Sequence, residues 1–350
     1  MIKSAQKGKA QTVLGTIDPN KLGPIMTHEH LLIDFEVMFT QPPEGTSQKM
    51  AHAPVSIENL GWISQYYYSN FDNLKVLDED TAINEAILYR RSGGKTIVDA
   101  TTIGIGRNPL ALERISRESG INVVMGAGYY VHASQKDSLQ KISEDEISNQ
   151  IIQEIQVGVE NTDIKAGIIG EIGCTWPLEK TERKVLRAAS LAQIETGASI
   201  LIHPGRHEDA PIEILQILSD SGADMSRVIM GHLDRTVEKL ETLKNIASSG
   251  CVLEWDLFGQ EISFYQPSNL DMPNDVQRMN IIRTMIDDGM GKNIVISHDI
   301  CTKHRLVKYG GHGYGYILEH IIPRMRSRGF TNDEILNITH KNAARLLTIN

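Results

Sequence analysis

Two histidines one residue apart, His28 and His30, close a short apolar run and could grip one metal ion. On a strand, residues i and i+2 face the same way, with Cα atoms roughly 6–7 Å apart. Four more residues of ligand chemistry follow, each ending its own apolar, β-rich run: Glu171, His203, His232 and Asp299. Four imidazoles and two carboxylates exceed the roughly four ligands of a tetrahedral zinc. They suit two divalent ions, most simply zinc, at about 3.5–4 Å. His28, His30 and Asp299 would take one ion and His203 and His232 the other, with Glu171 bridging. Such a pair makes a nucleophile of a shared water near neutral pH; Asp299 would take and pass on the proton. Taken singly, each residue has a plainer reading. A strand histidine can be a hydrogen-bonded core or surface residue, Glu171 a capping or salt-bridging acid, and Asp299 the start of a turn, with neighbouring His298 easily mistaken for the ligand. The joint order outweighs these readings. His52, His132, His207, His304, His320 and His340 lack strand-end placement and read as ordinary.

The elements that must position these residues are eight near-continuous Val/Ile/Leu runs: Leu22–Thr27, Lys95–Ala100, Ile121–Ala127, Ala166–Glu171, Ala198–His203, Arg227–His232, Cys251–Asp256 and Asn293–Asp299. Strands buried on both faces of a parallel sheet read this way. Helical patterns lie between them. Asn108-Pro109 opens one that Gly120 closes. Thr181 can cap another that stops at Gly197, Pro211 can start a third, and Thr331-x-x-Glu334 is a capping-box signature. Repeated strand-then-helix units predict an α/β fold, a (β/α)₈ TIM barrel, in one domain over 1–350. A doubly wound sheet would prefer a Gly-rich turn after its first strand, and none is present. Gln11–Ile17 reads as an N-terminal β-hairpin. Residues 36–80, with Pro42-Pro43 and Tyr66-Tyr67-Tyr68, form a long insertion after the first strand.

The bulk numbers narrow the function classes. The 350-residue chain is 41% hydrophobic and 23% charged, as a globular protein is. No apolar run approaches the roughly 20 residues of a membrane span. Met1–Ala10 is polar and basic, unlike a secretory signal, and three scattered cysteines suit a reducing cytoplasm. A net charge of −9 argues against a nucleic-acid partner. A homo-oligomer stays open.

On these residues the chain resembles the phosphotriesterase family of the amidohydrolase superfamily, most closely its phosphotriesterase-related subgroup. The carrying segments are Thr12-Val13-Leu14-Gly15, Thr27-His28-Glu29-His30, Gly167 to Gly173, Ile202-His203-Pro204-Gly205-Arg206, Gly231-His232-Leu233-Asp234-Arg235 and Lys308-Tyr309-Gly310-Gly311-His312-Gly313-Tyr314. The resemblance implies a (β/α)₈ barrel, a binuclear centre and hydrolysis. Two departures stand out. Classical members bridge the metals with a carbamylated lysine where this chain has Glu171, so the backbone must come closer there, through a shift or bulge at Gly170–Glu171. Lactonase members place an arginine where Leu257 stands. TatD-type deoxyribonucleases share the ligand order, but the acidic balance and the 36–80 insertion count against them.

Arg206 and Arg235 each lie three residues beyond a histidine ligand and could face the substrate, or could pair with acids such as Glu208 and Asp234. Lys308 and His312 sit in a Gly-rich segment that could close over the site. Tyr130 matches a position where the family places a pocket tyrosine. An inward guanidinium would favour a small anionic substrate. The resembled subgroup implies the amide of an N-acyl taurine such as N-acetyltaurine; the alternative is ester hydrolysis of the phosphotriesterase or lactonase type.

Overall fold

One apolar side chain from each of eight strands meets in a single cluster: Ile25, Val98, Val124, Ile168, Leu201, Ile229, Val252 and Val295. These residues fill the middle of a barrel. A second, larger cluster binds the strands' outer faces to the surrounding helices. The computed structural model describes residues 6–42 and 45–350; Met1–Ala5 of the polar N-terminus and Pro43 of the proline pair lie outside the described residues.

The barrel strands are β3 (Ile25–Glu29), β6 (Thr96–Asp99), β7 (Asn122–Ala127), β8 (Ile168–Gly173), β9 (Ile200–His203), β10 (Val228–Met230), β11 (Val252–Trp255) and β12 (Ile294–Ile296). They form one eight-stranded parallel sheet in the order β3 to β12. The seam between β12 and β3 closes through single bonds: Asp299 donates its N–H to the His28 carbonyl at 3.0 Å, and the His28 N–H donates to Ser297 Oγ at 3.0 Å. The seam therefore runs through two of the expected ligands.

The expected hairpin is β1 (Ala10–Thr12) with β2 (Gly15–Ile17), an antiparallel pair. Ala10 and the C-terminal helix Asn342–Leu347 pack onto the barrel-filling cluster, closing the end away from the site. The insertion after β3 is tied at its base by β4 (Ile33–Asp34) and β5 (Lys75–Val76). Between them it carries short helical turns rather than a separate core.

Helix boundaries follow local chemistry. Asn108 accepts from the Ala111 N–H, Pro109 occupies the first turn, and Gly120 ends that helix at φ +73°. Thr331 and Glu334 make the capping box read from sequence. Two starts differ. The helix expected to be capped by Thr181 starts at Lys180, because Glu179 and Glu182 form the capping box. The one expected at Pro211 begins at Asp209. The first strand also runs further than its apolar stretch, through His28 and Glu29, because those polar residues are fully buried in it.

Candidate metal centre

All six expected ligands converge at the C-terminal ends of the strands, where a barrel builds its site. His28 comes from β3, Glu171 from β8 and His203 from the end of β9; His30, His232 and Asp299 follow β3, β10 and β12. Glu171 sits at the centre. Its Oε2 lies 3.2 Å from His28 Nε2, 2.8 Å from His203 Nδ1 and 3.6 Å from His232 Nε2. Its Oε1 lies 3.3 Å from His30 Nε2. Asp299 Oδ1 lies 3.2 Å from the same His30 nitrogen. One carboxylate thus faces both the His203–His232 half and the His30–Asp299 half, with His28 at their junction.

Glu171 reaches this position through a local irregularity. Ile169 pairs with Ile200 and Ile172 with Ile202, so three steps on β8 match two on β9. The extra residue is the bulge that a short bridging side chain requires. Gly170 at φ +118° makes it possible: a Cβ there would lie 2.2 Å from the Leu201 carbonyl oxygen. The Gly170–Glu171 peptide is cis. Two more backbone exceptions flank the cluster, since His232 and Asp299 hold φ of +52° and +51° without being glycines. Such conformations cost on the order of 1–3 kcal/mol each and gather at functional sites.

The rear of each imidazole is tied down. Asp256 accepts from His232 Nδ1 at 2.8 Å and lies 3.1 Å from His28 Nδ1. Glu254 is 3.3 Å from the same His28 nitrogen and takes the Thr27 hydroxyl at 2.5 Å. His30 Nδ1 meets Thr101 Oγ1 at 2.9 Å. With protons held at these Nδ1 atoms, three Nε2 lone pairs point at the cluster's centre. His203 Nδ1 and His232 Nε2 stand 2.9 Å apart. Burial and the His232 charge together push the His203 imidazole well below its usual pKa. Burial would raise the Glu171 carboxyl, but His28 and His203 beside it hold it well below the carboxylate range. Buried lone pairs and carboxylate oxygens converging on one small space fit divalent cations, with His28, His30, Glu171, His203, His232 and Asp299 able to hold them.

Glu29, between the two histidines, turns away. It accepts from Ser297 Oγ, His298 Nδ1 and the Ile300 N–H at 2.8, 2.6 and 2.9 Å. His298 is therefore committed behind the site, and it orients the turn that presents Asp299.

A narrow cavity opens above the cluster, reaching Glu171, His203 and Asp299. Tyr130, Arg206, Arg235 and Leu257 line it. Tyr130 Oη is 3.3 Å from His203 Nε2. Arg235 is buried and donates to the Pro204 carbonyl at 3.1 Å, with its other terminal nitrogen 3.1 Å from His203 Nε2. Arg206 Nε donates to Tyr265 Oη at 2.6 Å. The acids that might have drawn these arginines away have other partners: Glu208 binds Lys239 at 2.8 Å and Asp234 binds Arg278 at 2.9 Å. Among the described residues neither Arg206 nor Arg235 has a carboxylate in ion-pair contact.

Lys308 and His312 do not join this cavity. Lys308 Nζ donates to Thr81 Oγ1 at 2.6 Å, and its N–H donates to Glu85 at 2.9 Å. His312 Nε2 accepts from Arg305 at 3.3 Å, and its ring stands 5.5 Å from that of His298. The Gly-rich segment folds back, Gly311 and Gly313 donating to the Leu306 and Arg305 carbonyls. The insertion and the segment after β11 cover the site instead. Tyr67, Tyr68 and Tyr265 line the cavity, and Gln266 bonds to the Tyr68 N–H and Ser69 Oγ. Sequence reasoning missed Asp256, Glu254 and Thr101. The position of Asp256 at the end of the seventh apolar run was the available signal for it.

A model of the phosphotriesterase family matches residues 8–347. The chain belongs to that family. An N-acetyltaurine hydrolase of Dictyostelium discoideum is 46% identical over 98% of each chain, and one of Danio rerio is 44% identical over 99% of each. Among solved structures, a resiniferatoxin-binding protein from Rhodobacter sphaeroides superposes with a TM-score of 0.94 at 33% identity, covering 99% of this chain and 97% of that one. The family's hydrolytic, metal-dependent character accords with the donor cluster described above. Among the described residues no helix is long and apolar enough to cross a membrane.

Proposed function

We propose that this protein is a cytoplasmic binuclear zinc hydrolase that cleaves the amide of N-acetyltaurine or a closely related N-acyl amino sulfonate. The observation that carries this reading is the pair Arg206 and Arg235. Among the described residues these two guanidiniums have no carboxylate partner, and they line a cavity whose floor is the donor cluster. Guanidinium matches a sulfonate's oxygens, and the relatives' named substrate carries that group beside an amide.

His28, His30, Glu171, His203, His232 and Asp299 would hold the ions. When bound, two such cations acidify a shared water and polarise a carbonyl. The protein's own groups supply the rest. Arg206 and Arg235 fix the anionic end, so the scissile carbonyl is placed rather than found by diffusion. The walls of Phe35, Tyr68 and Leu257 exclude bulk water. Asp299, the most exposed acid of the cluster at 13% of its side chain, holds the proton taken from water and returns it to the departing nitrogen as the C–N bond breaks. Acetate and taurine leave.

The test is taurine release from N-acetyltaurine by purified protein, with metal analysis. About two zinc ions per chain are expected, with activity lost on chelation and restored by zinc. Hydrolysis that survives complete metal removal would sink the reading.

A further inference from the structure

A second cavity of about 260 Å³, open to the surface, lies against the first. Tyr67, Gln260, His304 and Arg305 line both, so the two are separated by one layer of side chains. Each side chain of the layer has its own supports: His304 Nδ1 lies 3.2 Å from Asn73 Oδ1, and the Tyr67 ring packs 4.6 Å from that of Tyr68. Gln260 Nε2 donates to Tyr67 Oη at 2.7 Å, and the Tyr67 and His304 rings stack at 5.8 Å and 23°. Gln260 comes from the segment after β11 and Tyr67 from the insertion after β3, so their bond joins two covering segments rather than two barrel strands. Leu60, Ile262, Gly310 and Gly311 line the outer cavity. Gly259 and His312 line it as well, so it has apolar surface and no side chain at its three glycines.

Orientation follows from the arginines and rests on the proposed amide hydrolysis. With the anionic end at Arg206 and Arg235, near His203, and the carbonyl at the donor cluster, the acyl group points away from that pair. On the Asp299 side stand His304 and Arg305 of the shared layer, and the Arg305 nitrogens are spent on the Asp299 and Phe258 carbonyls at 2.8 and 3.1 Å and on His312 Nε2. An acetyl methyl stops short of the layer; a longer chain must pass through it.

We infer that the Tyr67–Gln260–His304 layer sets the acyl-chain limit of this enzyme, and that opening it joins the two cavities into a channel for longer N-acyl amino sulfonates. Each added methylene would then exchange water for the apolar lining of the outer space.

The experiment compares kcat/KM for N-acetyl-, N-butanoyl- and N-hexanoyl-taurine in the wild type, Gln260→Ala and Tyr67→Phe. Tyr67→Phe removes only the hydroxyl acceptor and keeps the ring in its stack, which guards against a variant that misfolds. In the wild type the hexanoyl substrate should fall at least 100-fold below the acetyl one. Gln260→Ala should raise the hexanoyl-to-acetyl ratio at least tenfold and Tyr67→Phe severalfold. Acetyl hydrolysis in both variants with an unchanged ratio overturns the acyl limit and leaves the proposed function standing. A wild type that cleaves no N-acyl taurine overturns both.

Discussion

Replacing Arg206 by methionine tests the assignment of the anion site most directly. Methionine fills similar space, so packing against Tyr265 is largely kept and the charged fork is removed. Arg206 spends its Nε on Tyr265 Oη at 2.6 Å, which leaves both terminal nitrogens for a ligand. A hydrogen bond involving a charged group contributes about 1.5–3 kcal/mol, so two to a sulfonate amount to roughly 3–6 kcal/mol before desolvation of the fork is subtracted. Arg235 remains and keeps part of the attraction. A net loss of about 3 kcal/mol is expected, or roughly 150-fold in kcat/KM, at about 1.4 kcal/mol per tenfold. A neutral amide of similar size, N-acetylpropylamine, never used that interaction and should change less than about threefold. Arg206→Lys should fall between, since a point charge replaces a planar fork. The assay is initial-rate kinetics on the anionic and neutral substrates with each metal-loaded variant. Equal losses on the two substrates would refute the role of Arg206 in anion recognition, whatever the size of the loss.

Asp299→Asn keeps an oxygen ligand but cannot accept a proton, so metal content should stay near two per chain while kcat falls about 10²- to 10⁴-fold; near-wild-type turnover would remove Asp299 from proton transfer. Asp234→Ala leaves the fully buried Arg278 with Asp275 as its remaining carboxylate partner and the Gln260 carbonyl beside it. That should cost about 3–5 kcal/mol of stability, read as a lowered midpoint in urea, and an unchanged midpoint would show the pair to be dispensable.

Much of the site was legible because ligand chemistry coincides with strand ends. Runs such as Ile200 to His203 pair an apolar strand, readable from composition, with one polar residue at its exit. The limits have equally particular causes. The first strand was read as ending at Thr27, since His28 and Glu29 break the apolar run, yet both are buried by the function they serve. The bulge at Gly170 was legible because Glu171 is too short to bridge from a regular strand. Lys308 and His312 were misplaced because their partners, Thr81, Glu85 and Arg305, are set by tertiary packing and not by spacing. The inward turn of Arg206 likewise depends on Tyr265, fifty-nine positions away in sequence. The long insertion supplies cavity walls through Tyr67 and Tyr68, and aromatic clustering alone did not reveal that.

Asp256 gives the centre a property that no single ligand has. Its Oδ1 takes His232 and its Oδ2 lies 3.1 Å from His28, so one carboxylate just past the end of β11 braces an imidazole of β3 and one that follows β10. Neither ring can rotate without disturbing the acceptor of the other. A displacement on one side of the cluster is therefore felt on the far side through the rear of the site as well as through the bridge at Glu171. The two halves are thus tied at two levels, in front through Glu171 and behind through Asp256.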